Sequence, residues 1–414
     1  MPASRPAAKA RVPFAVYVLG LSVFALGTSE FMLSGLLPEV ADDLNVSIPR
    51  AGLLISAFAI GMVVGAPVLA GATLRLPRRT TLVGLLIVFG AGHVVGALAD
   101  SYALLFATRV VSALACAGFW AVGAAVAVSM VPAGARAKAM AIMIGGLSVA
   151  NVVGVPGGAV LGQAWGWRSA FWAVSVMTAV AVAGVLALVP RVPVPKEPPR
   201  LRQELRIYAN PQVWLVLGTI ALFAGSTFSF FSYLSPLLQD VSGLSESWVP
   251  TVLGLFGVGA IIGTVIGGRI ADANIFATMY VGLSSVAVTL VLIALLAEHA
   301  VAVVILTGLL GVVAFMSAPA LNARMFDVAH DAQTLAGATN TSSFNIGNTV
   351  GPWLGGLVIS AGLGYPATAW TGAAMAGLGV AGVALQARHG RGRVVARSVV
   401  AQSSVAEASR SSSV

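Results

Sequence analysis

Two charged side chains lie inside otherwise apolar stretches, and they are the residues best placed to do chemistry. Residues 14–36 contain one acidic or basic residue, Glu30, and as a helix they would span about 34 Å, enough to cross a bilayer core of about 30 Å. A charge at membrane depth costs about 2.5–3.5 kcal/mol, so we expect Glu30 to face protein or a water-filled cavity. Low dielectric favours the neutral acid over the carboxylate, which is the property that a proton-coupled transporter needs.

Arg109 is the second such charge. The first span ends near Leu36, six residues beyond Glu30, and the fourth begins near Tyr102, seven residues before Arg109. Both side chains should therefore sit about 10 Å below the same edge of the membrane core. We expect them to approach each other, with Arg109 holding the carboxylate charged until substrate or a domain movement separates them. The alternatives are a static structural pair, or a Glu30 that only hydrogen-bonds a neighbouring helix.

The composition requires a membrane to position these residues. The chain is 58% hydrophobic and 9% charged with mean hydropathy +0.94, whereas about 25% of residues in soluble proteins are charged. The apolar run after the basic start is too long for a cleavable signal peptide. Apolar runs between charged or Pro/Gly-rich breaks predict twelve transmembrane helices. Their ranges are 14–36, 51–72, 80–99, 102–130, 137–162, 168–189, 211–235, 248–271, 275–297, 300–323, 333–361 and 366–386.

The basic residues predict the orientation. With the N-terminus inside, only Arg50 and Arg168 lie on the outer side and Arg109 within a span, which leaves twenty of the 23 Lys and Arg on the cytoplasmic side. We therefore expect a multi-pass protein of the bacterial cytoplasmic membrane with both termini inside. Topology and anionic lipid explain the net charge of +9 better than nucleic acid does.

The chain repeats itself about a Pro-rich, charged loop. Gly27 and Pro38 recur as Gly225 and Pro236, and Asn151-x-x-Gly154 recurs as Asn348-x-x-Gly351, at offsets of 197 or 198 residues. Parallel repeats of this kind form transporters with the substrate site between two halves. The expected organisation is a cytoplasmic tail (1–13), an N-terminal six-helix bundle (14–189), a cytoplasmic loop (190–210), a C-terminal six-helix bundle (211–386) and a disordered cytoplasmic tail (387–414).

The membrane charges are not repeated. The position equivalent to Glu30 is Phe228, and that of Arg109 is Leu306 or Thr307, which assigns the ionic machinery to the N-terminal half. The C-terminal half then offers aromatic and amide surface to a substrate, although packing alone would also explain the aromatic residues. The expected cavity residues are Phe119, Trp120, Phe228, Phe231, Tyr233, Asn322, Asn340 and Asn345. His93 is a second possible proton relay, with a hydrogen-bonded helix histidine as the simpler interpretation.

These features resemble the major facilitator superfamily, specifically its twelve-helix drug:proton antiporters, over residues 13–388. The segment Gly71 to Arg79 and the segment Gly268 to Asp272 lie where that family has its loop motifs, which implies gating roles for Arg75, Arg78, Arg79, Arg269 and Asp272. Arg109 matches the motif arginine of helix four, which the resemblance ties to proton coupling. The run from Gly145 to Gly158 is similar to the antiporter signature of helix five, which implies roles for Gly145, Asn151, Gly154, Pro156 and Gly158.

Within that group the chain resembles the chloramphenicol efflux proteins of actinobacteria. The segments that carry this likeness are Gly27-Thr-Ser-Glu30-Phe-Met-Leu-Ser-Gly-Leu-Leu-Pro38, Phe119-Trp120-Ala-Val-Gly123 and Trp165-Gly-Trp-Arg168-Ser-Ala-Phe-Trp172. The fold expected from the resemblance is an all-α integral membrane protein of two pseudo-symmetric six-helix bundles.

The function that follows is proton-coupled efflux of a small amphipathic drug, chloramphenicol first, which would confer antibiotic resistance. An exporter of an endogenous sugar or metabolite is the alternative within the same class. A membrane-embedded enzyme is disfavoured because no catalytic carboxylate pair, His/Cys cluster or Ser/His arrangement converges within the spans. A receptor is disfavoured because the longest loop, about twenty residues, is too short for a sensing domain. We expect a functional monomer with a small-molecule substrate, protons and lipid as partners, no cofactor and no metal.

Overall fold

The computed structural model describes residues 12–73, 76–191, 205–329 and 333–411, and every regular element in those ranges is helical. Residues 1–11, Arg75 and residues 192–204, on which parts of the expected tail, loop motif and central loop fall, lie outside the described residues. Twelve long helices follow in chain order. They are α1 (Phe14–Phe31), α2 (Ile48–Ala72), α3 (Arg78–Ala97), α4 (Tyr102–Ser129), α5 (Arg136–Trp165), α6 (Arg168–Leu188), α7 (Pro211–Phe231), α8 (Val249–Ala273), α9 (Ile275–Leu295), α10 (Ala300–Val328), α11 (Gln333–Ser360) and α12 (Pro366–Ser411).

Eleven candidate membrane spans among the described residues are long and apolar enough to cross a bilayer. The helix that composition alone does not mark is α11, which has 28 residues and carries several Asn, Ser and Thr. Its polar side chains are used against its neighbours: Ser343 donates to the Leu217 carbonyl of α7 at 2.5 Å, and Ser342 donates to the Val63 carbonyl of α2 at 3.4 Å. Polar side chains that bond to neighbouring helices in this way are not exposed to lipid, so α11 can carry them within the membrane.

Two helix ends differ from the sequence expectation. The first span is α-helical only to Phe31 and continues as a tighter 3₁₀ turn over Met32–Gly35. The last helix does not stop at residue 386 but continues to Ser411, where a disordered tail was expected. The extension is rich in Ala, Val, Arg and Ser without proline, and a Pro-free sequence of this kind can prolong a helix that has already been nucleated.

The described residues form two hydrophobic cores. One is built mainly from residues 15–189 and the other mainly from residues 213–383. Each core takes a few side chains from the other half, such as Tyr233 in the first and Phe31 in the second. The fold is therefore an all-α membrane architecture of two bundles, as expected from the sequence.

The halves meet where α2 packs against α11 and where α5 packs against α8. A Cβ on Gly257 of α8 would lie 2.4 Å from the Asn151 carbonyl oxygen of α5, so this crossing requires glycine. Ser56 of α2 also donates to the Thr349 carbonyl of α11 at 3.0 Å. Backbones held this close make the interface sensitive to the size of single side chains.

Antiparallel neighbours give the molecule two faces. We call the face with the short helix Leu37–Asp43 and the turn Glu246–Trp248 the distal face, and the face where α1 begins the proximal face. On the distal face Gln163 at the end of α5 donates to the Glu246 carbonyl at 2.8 Å. Below it, the rings of Phe31 and Phe228 stack across the halves with centroids 4.9 Å apart. The passage between the halves is therefore closed toward the distal face.

Candidate functional site

Glu30 lies at the end of α1, next to a small cavity of about 10 Å³ between the two halves. The cavity is lined by Glu30, Phe31, Ile55, Phe58, Ala59, Asn345 and Asn348. Pockets for drug-sized ligands measure about 300–1,000 Å³, so in this conformation the space suits water rather than a drug. Within the described residues the Glu30 carboxylate forms no ion pair. The acid thus faces a protein cavity and not lipid.

Arg109 of α4 is close to Glu30 but contacts its backbone and not its carboxylate. Its Nη2 lies 3.5 Å from the Glu30 carbonyl oxygen, and its Nη1 donates to the Ser29 hydroxyl at 2.9 Å. The guanidinium also lies over the Phe58 ring, 4.3 Å from its centroid, and is 1% exposed. Three partial interactions therefore replace one ion pair in holding a fully buried cation.

The end of the α-helical part of α1 at Phe31 explains why the Arg109 guanidinium fits beside Glu30. The α-helix ends at Phe31, and the last carbonyls of a helix lack partners within it and carry partial negative charge. The Glu30 carbonyl is one of them. Arg109 therefore interacts with the negative end of α1 as well as with the nearby carboxylate.

Ser29 connects Arg109 to His93 of α3. The His93 Nδ1 lies 2.8 Å from the Phe89 carbonyl, which can only accept, so Nδ1 carries the hydrogen. Nε2 is then an acceptor, and the Ser29 hydroxyl donates to it at 2.6 Å. The direction of donation runs from Arg109 to Ser29 to His93 to the α3 backbone. In this arrangement His93 is a neutral hydrogen-bond acceptor, which agrees with the simpler of the two sequence interpretations.

The opposite wall of the Glu30 cavity comes from α11. Asn345 and Asn348 are 2% and 3% exposed, and the Oδ1 atom of each is buried without a hydrogen-bond partner among the described residues. Asn345 Nδ2 donates to the Thr341 carbonyl at 3.0 Å, so its nitrogen is fixed and its oxygen must point elsewhere. Two asparagines of this wall thus each have a buried oxygen that lacks a donor.

Aromatic rings extend this wall into the C-terminal half. Phe228 stacks on Phe31 and meets Phe231 and Phe344 edge to face, with centroids 5.7 and 6.0 Å away. Phe231 continues to Phe256 at 4.3 Å. The structure therefore brings the expected Phe228 and Phe231 together at the junction of the halves.

Two residues expected in the cavity are placed elsewhere. Phe119 is fully buried in the N-terminal core beside Gly123 and Met143. Tyr233 is also fully buried, and its hydroxyl donates to the Pro352 carbonyl at 2.8 Å against Gly52 and Gly356. Helix periodicity alone does not separate a cavity-facing aromatic from one that fills an interhelical gap, which is why the sequence placed both at the cavity.

The remaining expected cavity residues lie nearer the proximal face. Asn340 of α11 donates to the Asn322 Oδ1 of α10 at 2.5 Å, and Asn322 is exposed. Trp120 of α4 is half-buried. These three do not join the Glu30 cavity.

The antiporter motif of α5 contains a π-helical turn at Ala150–Gly154. Such turns mark local rearrangements and often occur at functional positions. Gly154 lies against α1, where a Cβ would come 2.0 Å from the Thr28 Oγ1, and Pro156 follows at the start of the next α-helical segment. Gly158 faces Met32 of the 3₁₀ turn that follows α1, and nothing lies within 4 Å of a Cβ on Gly145. The motif is thus a close-packing surface toward α1 and, through Asn151, toward α8.

The loop-motif residues lie at the proximal face, whereas Glu30 lies toward the distal end of α1. Arg78 and Arg79 begin α3, where Arg79 donates to the Leu186 carbonyl of α6. Arg269 and Asp272 lie in the last turns of α8. The described part of the chain shows no ion pair at any of these four residues.

An acidic pair that the sequence analysis did not select lies at the distal face. Both carboxylate oxygens of Glu39 are buried without a hydrogen-bond donor in the described ranges. Burial raises the pKa of Glu39 from 4.5 to about 7, and the nearby Glu246 carboxyl of the other half and Asp42 add to the rise. Glu39 was missed because acids in membrane-edge loops are common, and no sequence signal pairs it with Glu246.

The same limit applies to Ser29, which no pattern distinguishes from other small polar residues of α1. Asn348 had a signal, because it is the repeat partner of Asn151, but the repeat was interpreted as scaffold. Phe31 also had a sequence signal, since it follows Glu30 directly in the chain.

Comparison with known proteins decides the family. Residues 19–344 match the family model described as Major Facilitator Superfamily. The chain belongs to the major facilitator superfamily. Members of this superfamily are transporters and not enzymes, so the protein is a multi-pass membrane transporter of small molecules.

Relatives within the superfamily cover nearly the whole chain. A chloramphenicol resistance protein of Streptomyces lividans is 40% identical over 357 residues, covering 86% of this chain and 90% of that protein. The inner membrane transport protein YdhP of Escherichia coli K12 is 36% identical over 378 residues, covering 91% and 97%. The major facilitator fold is also seen in a bacterial homologue of the human lysosomal transporter Spinster, in an inward-facing and occupied conformation. That chain aligns with a TM-score of 0.75 at 17% identity, covering 91% of this chain and 96% of the other.

Proposed function

We propose that this transporter exports a small amphipathic molecule, chloramphenicol first, in exchange for protons. The observation that carries the proposal is the Glu30 carboxyl, which lies without an ion-pair partner in a cavity between the halves, beside the buried cation Arg109. A carboxyl in this position can accept a proton in one conformation and release it in another. The buried Arg109 raises the cost of leaving that acid neutral, so small movements between them shift the balance.

The proposed orientation places the distal face outside and both termini in the cytoplasm. The distribution of basic residues supports it, because cytoplasmic loops of membrane proteins carry an excess of Lys and Arg. In this orientation the closed distal face shuts the site from the exterior, and cargo would enter from the cytoplasm or the inner leaflet. We propose that a single chain is the working unit, with alternating access by rocking of the two halves.

The aromatic residues Phe228, Phe231 and Phe344 would supply most of the binding energy for an apolar, aromatic cargo. Stacked and edge-to-face rings contribute about 0.5–1.5 kcal/mol per pair beyond area burial. A flat cargo that separates Phe31 from Phe228 would replace that stack with its own. Energy for export would come from protons, at about 2.3 kcal/mol per charge for each 100 mV of membrane potential.

Chloramphenicol is the first candidate because of the 40% identical resistance protein of Streptomyces lividans. The second candidate is an endogenous sugar or metabolite, which the similarly covered relatives with general transport names favour. Comparing the chloramphenicol susceptibility of cells with and without the gene separates the two. Unchanged susceptibility would favour the metabolite.

The decisive experiment measures energised uptake of labelled chloramphenicol into inverted membrane vesicles. We expect Glu30→Gln to lower gradient-driven uptake at least about tenfold, since a neutral amide cannot exchange a proton. The matched control is Glu298→Gln, which alters an exposed carboxylate outside the spans. Uptake by Glu30→Gln that still collapses with the proton gradient would remove Glu30 from the coupling role.

A further inference from the structure

Two asparagines that line the Glu30 cavity each have a buried side-chain oxygen without a donor among the described residues. A buried acceptor without a partner loses its hydrogen bond to water and gains none in return, so the two together destabilise the closed conformation. Asn345 Oδ1 and Asn348 Oδ1 are in this state, and both residues line the cavity that also contains the Glu30 carboxyl.

Ionised Glu30 cannot satisfy them, because a carboxylate only accepts hydrogen bonds. Protonated Glu30 can satisfy one of them at a time, because a carboxylic acid has one O–H donor. The acid belongs to α1 in the N-terminal half and the amides to α11 in the C-terminal half. A hydrogen bond between them would therefore form only across the interface, and only after a proton has bound.

We propose that Asn345 and Asn348 form the acceptor site for the hydrogen of protonated Glu30, and that this bond holds the two halves together on the distal side. The inference rests on the proposed function, in which Glu30 carries the proton. It assigns to α11 a coupling role, in place of the substrate-binding role expected for Asn345. Proton uptake then favours distal closure directly, because the donor exists only in the protonated state.

The charges around Glu30 are compatible with such a switch. Arg109 and Cys116 on α4 lie close enough to interact with its charge, and His93 on α3 lies behind Ser29. The cavity residues of α2 and α11 include no titratable side chain. Asn345 and Asn348 are the polar residues of the C-terminal half that line this cavity together with Glu30.

The test follows distal opening with pH by the distance between two spin labels. Leu98→Cys at the end of α3 and Leu295→Cys at the end of α9 place the labels at exposed positions of opposite halves, and the native Cys116 is buried. The measurement is made in a Glu39→Gln background, so that the distal acidic pair does not contribute to the pH response. In this background we expect the distal side to be closed at acidic pH and to open as Glu30 loses its proton.

Asn345→Leu/Asn348→Leu keeps the approximate side-chain size but removes both acceptors. The protonated closed state loses its interdomain bond, so we expect opening to occur at a pH lower by about one unit. The matched control is Thr307→Val in α10, which alters another buried, unpartnered polar atom of the C-terminal half, outside the Glu30 cavity. A midpoint in the double variant equal to that of the control would overturn the inference.

Glu30→Gln provides a second route that does not depend on how the asparagine variants fold. Its amide offers an N–H donor at every pH, so we expect a distal side that stays closed and does not respond to pH. If Glu30→Gln loses proton-driven transport but the asparagine variants open as the control does, the proposed function stands and the acceptor site is wrong. If Glu30→Gln keeps proton-driven transport, the proposed function itself fails.

Discussion

Helices α1 and α7 occupy equivalent places in the two halves, yet their chemistry is opposite. Glu30 and Phe228 are separated by the repeat offset of 198 residues. On one side a carboxyl lies beside a cation, a serine and a histidine, while on the other Phe228 lies among Phe31, Phe231 and Phe344. Both helices nevertheless pack closely against a glycine-rich partner, α5 for α1 and α11 for α7.

The two halves therefore share the close helix packing, but the charged residues within the membrane occur in the N-terminal half alone among these repeat-related positions. A scaffold that needs close backbone contact restricts the small residues in both halves, while one titratable site is enough to couple a proton. The N-terminal half would then respond to protons and the C-terminal half to cargo. Three changes test this division, from the largest expected effect to the smallest.

Arg109→Leu should have the largest effect, because it removes the cation that interacts with both Ser29 and the end of α1. We expect proton-driven transport to fall at least about 100-fold. Arg109→Lys keeps the charge but not the forked geometry that reaches both partners, so a fall of about tenfold is expected in the same vesicle assay.

His93→Gln serves as the conservative control for this network, since an amide can donate to the Phe89 carbonyl and accept from Ser29. It should retain most of the transport. Full activity of Arg109→Lys would contradict a switching role for the arginine.

Phe228→Ala tests the other side of the comparison. Loss of the Phe228 ring on which the cargo would stack should raise the KM for chloramphenicol about tenfold, since one aromatic pair is worth about 0.5–1.5 kcal/mol beyond the area it buries. The pH dependence of transport should stay as in the native protein, because no titratable group changes. Phe14→Ala, at an exposed ring of α1, is the control. A shifted pH profile with unchanged KM would reverse the assignment of the two halves.

Glu39→Gln changes a residue at the junction of the halves. We expect it to have the smallest effect of the three, and that effect is on thermal stability. The pKa of Glu39 is raised to about 7, so the folded protein holds this proton more tightly than the unfolded chain does. Its stabilising contribution is complete below pH 4.5 and declines as the pH rises toward 7. The variant should lack this decline and unfold at a higher temperature than the native protein at neutral pH, as thermal unfolding in detergent will show. Parallel pH curves for the two proteins would contradict the prediction.

Much of the fold could be predicted because membrane spans require long apolar runs and the repeat fixes their grouping. The helix boundaries near Glu30 could not, since the 3₁₀ turn that begins at Met32 packs against α5 and the segment Leu234–Pro236, which local propensity does not reveal. Charge and rarity identified Glu30 and Arg109. Ser29 and Asn348 are not identified as site residues by type or spacing, because a serine or an asparagine gains its role only from what the fold places opposite it.

The tighter turn directly after Glu30 has a mechanical consequence. A 3₁₀ segment advances by about 120° per residue and an α-helix by about 100°, so rewinding the four residues of Met32–Gly35 would twist the chain by about 80°. Such a twist would turn Glu30 relative to the short helix Leu37–Asp43 and would shorten the segment by about 2 Å, because the rise per residue falls from about 2.0 to about 1.5 Å. A local change of helical pitch would thus rotate the Glu30 carboxyl from one side of the membrane toward the other.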